Sequence, residues 1–328
     1  MQYRSLGGNG PTVSVVGLGT WALGGDAWGP AHDGESEDAI RAAIDAGVTL
    51  IDTAPAYGDG RAEEVVGRAI AGRRDEVVLA TKVGIRRHGP HHVVDLSPQA
   101  VRREIDESLR RLNVDTIDLY QIHWPDKKTP IEETVGALAR LHEAGKFRFL
   151  GVSNFKPALL ERARAVFPLT CLQLHYSLLN RSAESHTLPG CAKHGVGTMG
   201  YGSLAGGILT GKYRELPHFG PGDARGEFYR FFCEPVWSAA GRLLETLRAI
   251  AHERTRPVSQ VAINWARRVP VAGGGAVAPA RGGVTCALVG ARTAAQAREN
   301  AAAGEWELSG EELSRIERAW RAQIAPLR

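Results

Sequence analysis

SEDAIRAAIDAGVTLID, residues 36–52, carries the pattern that decides the fold. Ser36–Ala46 reads as an amphipathic helix opened by a serine cap, and Gly47 supplies its C-terminal stop. The β-rich run TLID, Thr49–Asp52, follows at once. Helix and strand joined this tightly form one repeat of an alternating chain, and the same alternation extends on both sides. Further candidate strands are Thr12–Gly19, Val77–Lys82, Ile117–His123, Phe149–Ser153, Cys171–Leu174, Val196–Tyr201 and Thr285–Val289, which makes eight. Between or after them lie helical patterns at Ser97–Leu112, opened by Ser97-Pro98, at Ile131–Ala144, and at Ser309–Ala322.

Strands that alternate with helices imply parallel pairing through right-handed crossovers. Eight units within 328 residues favour a (β/α)8 TIM barrel over an open doubly wound sheet. The expected architecture is one domain spanning 1–328. It carries an N-terminal β-hairpin signalled by Gly7-Gly8-Asn9-Gly10, and an accessory C-terminal helix at 309–322. Two stretches break the rhythm. Gly202–Trp237 follows strand seven and belongs on the catalytic face, as a lid or ligand loop. PVAGGGAVAPARGG, Pro270–Gly283, precedes strand eight, a low-complexity insert on the face remote from chemistry.

Composition narrows the functional classes. The net charge of +4 is spread along the chain, and the short basic pairs Arg86-Arg87, Arg102-Arg103 and Arg110-Arg111 make no nucleic-acid stripe. A basic pocket for a phosphorylated ligand stays open. No apolar run approaches the roughly 18 residues of a membrane span, and MQYRSLGGNG lacks a signal-peptide core. The scattered Cys171, Cys191, Cys233 and Cys286 read as reduced thiols of a cytoplasmic protein.

Three motifs are decoys. Gly17-Leu18-Gly19-Thr20-Trp21-Ala22, with Asp38 beyond it, mimics a dinucleotide fingerprint. The residues that follow, LGGDAWGPAHDG, make too poor a helix to hold a pyrophosphate at its N-terminus. Gly206–Lys212 fits a phosphate loop, yet Tyr213 stands where Ser or Thr would hold Mg²⁺. His88, His91 and His92 read as a solvated loop after strand three rather than a metal site, so no metal is expected.

The chemistry gathers at strand ends. Asp52 closes strand two, Tyr57 follows in the loop, Lys82 closes strand three and His123 closes strand four. In a barrel these ends converge at one mouth. Singly, each residue has a structural reading: turn, packing, solvated stem or core group. Together they suit proton transfer. Lys82, held by Asp52, is expected to lower the pKa of the Tyr57 phenol, and a neutral His123 to orient a carbonyl. Such a site needs an external hydride, hence a nicotinamide.

These residues carry a resemblance. GVTLIDTAPAYGDGRAEEVVG (Gly47–Gly67), ATK, IHW, GVSNF (Gly151–Phe155) and LTGKY (Leu209–Tyr213) occur in the order of the motifs of the aldo-keto reductase superfamily. The chain resembles that family from about Arg4 to Trp320, and most closely its subgroup of potassium-channel β-subunits and bacterial sugar or aldehyde reductases. The resemblance implies the catalytic tetrad Asp52, Tyr57, Lys82 and His123, and NADPH rather than NADH lying across the strand C-termini. It assigns Ser153, Asn154 and Gln173 to the nicotinamide carboxamide and Tyr201 to stacking on the ring. Gly19, Thr20 and Trp21 would border cofactor and substrate. Gly202, Ser203, Leu204 and Lys212 would surround the pyrophosphate. In VGARTAAQAREN (Val289–Asn300), Gly290, Arg292, Gln296 and Asn300 fall at the adenosine end, with Arg292 on the 2′-phosphate. The family often has Lys-Ser in place of Ala291-Arg292, and Arg in place of Gln296.

The expected substrate is a small-molecule carbonyl compound: sugar-like, aryl or a natural-product ketone. Its pocket is expected to be open and bordered by Trp21, Trp28, Trp124 and parts of the 202–237 loop, because little chain follows the last predicted helix. A redox-sensing NADPH-binding subunit with slow turnover, and a barrel isomerase without net redox, are the alternative readings. Neither oligomeric state nor substrate identity follows from the sequence.

Overall fold

In the computed structural model, which describes residues 1–88, 91–220, 222–268 and 283–327, the parallel strands close into a barrel. A hairpin comes first, β1 (Tyr3–Ser5) pairing antiparallel with β2 (Thr12–Ser14). The barrel strands are β3 (Val16–Gly19), β4 (Leu50–Asp52), β5 (Val78–Val83), β8 (Ile117–Ile122), β9 (Phe147–Ser153), β10 (Cys171–His175), β11 (Gly197–Tyr201) and β12 (Cys286–Gly290). They pair in that order, and β12 returns to β3. Between β5 and β8 a second hairpin stands out, β6 (Ile85–His88) with β7 (His91–Val94).

The outer helices are α1 (Asp33–Asp45), α2 (Arg61–Ala69), α3 (Pro98–Leu112), α4 (Ile131–Glu143), α5 (Pro157–Val166) and α6 (Thr187–Lys193). After β11 come α7 (Ala224–Phe228), α8 (Val236–Glu253) and α9 (Val258–Ala266), and after β12 come α10 (Ala294–Ala301) and α11 (Gly310–Gln323). No described helix is long and apolar enough to cross a membrane.

The TIM barrel, its N-terminal hairpin and its C-terminal helix match the sequence reading; three details do not. The run Thr12–Gly19 is two strands, because Ser14 turns its hydroxyl onto the Val16 carbonyl and the chain leaves the hairpin for the barrel. Helix α1 starts at Asp33 with no side-chain cap, and Ser36 lies buried inside its first turns. The histidine-rich segment is a β-hairpin rather than a loop. Pro270–Gly283 lies outside the described residues apart from Gly283.

Strand alternation explains how polar groups come to the mouth. Inward positions near the N-terminal end are apolar: Leu50, Ala80, Leu119, Cys171 and Met199 pack together with Leu6 and Val13 of the β1–β2 hairpin, which plugs that end. Two residues further along their strands the inward positions become Asp52, Lys82, Gln121 and Gln173. Behind this layer, the carboxylate of Glu63 on α2, with 0 % side-chain exposure, accepts from Thr81 of β5 (2.6 Å) and from Arg111 of α3 (2.6 Å). This triad fixes two helices against the strand that carries Lys82. Glu63→Ala would leave Arg111 largely buried without its counter-charge. Urea unfolding should show a loss of about 3 kcal/mol.

Candidate active site

Lys82 is fully buried, and its ammonium uses all three of its donors. Nζ reaches Asp52 Oδ2 at 2.6 Å, the Thr53 carbonyl at 2.9 Å and the Tyr57 hydroxyl oxygen at 3.0 Å. The other carboxylate oxygen of Asp52 accepts from Gln121 Nε2 and Gln173 Nε2, both at 2.9 Å. Tyr57 is delivered by a turn after β4 in which its N–H bonds the Ala54 carbonyl. The turn then relies on Gly58, at φ +63°, where a Cβ would stand 2.1 Å from the Gly24 carbonyl oxygen. Because the Tyr57 oxygen accepts from Lys82, its own proton is left to point into the cavity.

Burial raises the Tyr57 pKa above its usual value, and the opposing pull of Lys82 does not overcome it. The expectation of a net lowering is therefore corrected: the phenol is a weak acid that stays protonated, with Lys82 limiting the cost of losing its proton. Burial alone would depress Lys82, but Asp52 and then Tyr57 outweigh it and hold the pKa above that of a free lysine. His123 is driven well below the usual histidine value by burial first, then by Lys82 and His92, so its imidazole is neutral. Its Nδ1 is buried without a hydrogen-bond partner.

A cavity of about 790 Å³ extends from these groups across the barrel mouth. Apart from Lys82, which sits behind Tyr57, every residue assigned from the sequence to catalysis, cofactor or substrate lines it. Asn154, at φ +62°, accepts from the Tyr201 hydroxyl (2.9 Å) and donates to the His123 carbonyl (3.2 Å) and to Ser153 Oγ (3.0 Å), locking Tyr201 in place as a wall. Trp21 meets Trp28 edge-on at 4.3 Å and Phe228 at 5.0 Å. Trp124 is 40 % exposed at the rim. At the far end the Arg292 guanidinium donates to the carbonyls of Trp28 (2.9 Å) and Pro30, while its N–H bonds Gln296 Oε1 at 2.8 Å. Asn300 Nδ2 donates to the Gly290 carbonyl at 3.2 Å. The decoy at Gly17–Ala22 leads only into a single 3-10 turn, Trp21–Leu23. Among the described residues no cluster of His, Cys, Asp or Glu gathers for a metal.

The cavity fits a nicotinamide dinucleotide. Its length runs from a neutral imidazole and a phenol to the N-terminal end of α10, with Lys212, Arg225 and Arg292 on its walls. Gly202, Gly206 and Gly207 all have positive φ on the loop after β11, so backbone approaches the cavity there without a Cβ. The Aldo/keto reductase family model matches residues 15–321. The chain belongs to the aldo/keto reductase family.

Its relatives agree. It is 39% identical over 319 residues to the aldo-keto reductase YhdN of Bacillus subtilis, covering 96% of this chain and 92% of that one. It is 34% identical to the NADH-specific methylglyoxal reductase of Escherichia coli, over 94% of this chain and 95% of that one. Among solved structures, the glycerol dehydrogenase AKR11B4 from Gluconobacter oxydans superposes with a TM-score of 0.86 at 37% identity, covering 98% and 95% of the two chains. An aldo/keto reductase from Klebsiella pneumoniae in complex with NADP and acetate gives 0.75 at 32% identity, covering 100% and 98%. As an aldo/keto reductase the chain is an oxidoreductase that uses a nicotinamide cofactor.

Sequence reasoning missed four groups at this site. Gln121 shares the inward parity of Leu119 and could have been found from it. Phe228 and His92 lie on segments without a readable period. His175 ends β10 and stacks on Tyr201 at 5.2 Å, with its buried Nε2 unpartnered. Burial pushes the His175 pKa down to about 4 from an ordinary value near 6.5. Its contribution to stability is thus complete above the unfolded value and drains away as pH falls from about 6.5 towards 4. The wild-type protein should lose up to roughly 3 kcal/mol in urea titrations across that window through this residue. His175→Phe, which keeps a ring against Tyr201, should flatten that slope, while an unchanged slope would contradict the assignment.

Proposed function

We propose that this reductase converts an aldehyde or ketone to an alcohol with NADPH, with Tyr57 as the general acid. The observation that carries the reading is the set of three bonds made by the Lys82 ammonium. They fix the Tyr57 oxygen as an acceptor and leave its proton facing the cavity. A bound reduced nicotinamide supplies the hydride. The neutral His123 imidazole donates to the carbonyl oxygen and turns it towards Tyr57. As negative charge grows on that oxygen, the Tyr57 proton transfers to it, and the phenolate left behind rests on Lys82 Nζ. Asp52 keeps Lys82 from swinging towards solvent, and Gln121 and Gln173 hold Asp52. Tyr201 forms the flat wall for the nicotinamide, with Ser153, Asn154 and Gln173 for its carboxamide. Gly19, Thr20, Gly202, Ser203, Leu204 and Lys212 would follow the cofactor along the mouth, and Gly290, Gln296 and Asn300 would meet adenosine. Trp21, Trp28 and Trp124 would wall the substrate.

Preference for the 2′-phosphate rests on Arg292, which stands beside the start of α10 and would exchange carbonyl partners for phosphate. The neighbour solved with NADP supports this choice.

Tyr57→Phe should lower kcat for reduction about a thousandfold, the loss expected when a general acid is removed. Cofactor affinity, followed by fluorescence quenching, should stay within about twofold because the ring remains. Comparable turnover in both proteins would remove Tyr57 from the mechanism. Arg292→Ala should weaken NADPH binding by about tenfold or more, as befits one lost charge-assisted contact, and leave NADH binding nearly unchanged. Equal weakening of both cofactors would assign Arg292 to the loop alone.

A further inference from the structure

The β6–β7 hairpin leaves the barrel directly after the strand that carries Lys82. Gly84 makes the exit, at φ +98°, with space for a Cβ already taken by Leu96 Cδ2 at 2.3 Å. The base is pinned: Gly84 N–H donates to Glu104 (2.8 Å), Asp95 N–H to the Gly84 carbonyl (3.0 Å), and Arg86 pairs with Glu107 (3.2 Å). Ile85 and His92 of this hairpin both line the cavity that holds Tyr57 and His123. His92 is solvent-exposed.

The same cavity is lined by Trp21, Trp28, Trp124, Ile85 and Phe228. The cavity's remaining charged side chains outside the Asp52–Tyr57–His123 group are Lys212, Arg225, Arg292 and Glu299, on segments after β11 and β12, whereas His92 comes from the hairpin after β5. Residues 85–94 contain two arginines and three histidines and no carboxylate, so the hairpin brings no negative charge of its own to the cavity. An imidazole can donate an N–H to an anion whether or not it is protonated.

We propose that His92 is a specificity-determining residue that holds an anionic substituent of the substrate, so that the preferred carbonyl compounds bear a carboxylate or phosphate remote from the reacting carbon. This assignment rests on the reductase reading above. The carbonyl end would lie at Tyr57 and His123, the body between the aromatic walls, and the anion at the hairpin.

The test compares 4-carboxybenzaldehyde with its neutral methyl ester, methyl 4-formylbenzoate, in wild type, His92→Ala and His92→Lys. Isothermal titration of 4-(hydroxymethyl)benzoate into the NADP-loaded protein adds a readout independent of turnover. His92→Ala should raise KM for the acid about tenfold, the loss of one charge-assisted contact, with kcat within about twofold and the ester unaffected. It should weaken binding of the alcohol to a similar degree. His92→Lys should restore most of both. Equal effects on acid and ester, no effect on either, or no rescue by lysine would overturn the assignment. Turnover of the ester alone reports the reductase reading, so its loss in wild type is a separate failure, and the titration still decides the role of His92.

Discussion

A lysine ammonium sealed inside a barrel needs a counter-charge and an acceptor for each of its N–H bonds, because water cannot supply them. At Lys82 that demand organises the site. Asp52 must face inward from the neighbouring strand, the Thr53 carbonyl must turn towards the axis, and the Tyr57 ring must stand where its oxygen completes the set. Once those three are placed, Gln121 and Gln173 are needed to satisfy the second oxygen of Asp52. The polar layer is a single hydrogen-bonded unit, and its position follows from strand parity: two residues above an apolar layer that closes the other end. One group joins the two halves of this layer, since the ammonium that Asp52 neutralises is also the donor to the Tyr57 oxygen.

The walls above this layer are tied to one another. The segment between β3 and α1 carries Trp21 and Trp28 and is gripped from three directions. Asp26 accepts from Gly58 N–H at 3.2 Å, Ala27 accepts from Ala224 N–H at 2.9 Å, and Arg292 reaches the Trp28 carbonyl. Arg61 adds a bond to the Ala31 carbonyl. The aromatic wall is thereby linked to the tyrosine turn on one side and to the α10 end of the cavity on the other. Anything that changes the partners of Arg292 is carried to Trp28 through a single side chain.

Much of this was legible in the sequence, for a physical reason in each case. Buried parallel strands are short apolar runs, and helices on the outside of a barrel keep one apolar face, so alternation and order emerged without a structure. Asp52, Lys82 and His123 could be paired because strand ends converge. The limits are equally physical. Ser36 looks like a cap, yet the acidic first turn at Asp33 and Glu35 lets α1 begin earlier. In the β6–β7 hairpin, three of the four residues of β7 are exposed, so it offers no hydrophobic period to read. The sign of the Tyr57 shift depends on how far burial exceeds the attraction of Lys82, which no spacing encodes. The sequence places Arg292 on the 2′-phosphate but cannot show its carbonyl partners, which lie more than 250 residues away in the chain.

If Asp52 and Lys82 act only as one unit behind Tyr57, their removal must be strongly non-additive. The most direct measurement is a double-mutant cycle on kcat/KM for carbonyl reduction with Asp52→Asn, Lys82→Met and the combined variant. The account predicts that either single change costs nearly as much as both together, because each one already dissolves the pair. Losses that add would mean that the two side chains act independently, and would contradict the claim that the buried pair is what sets Tyr57 to work.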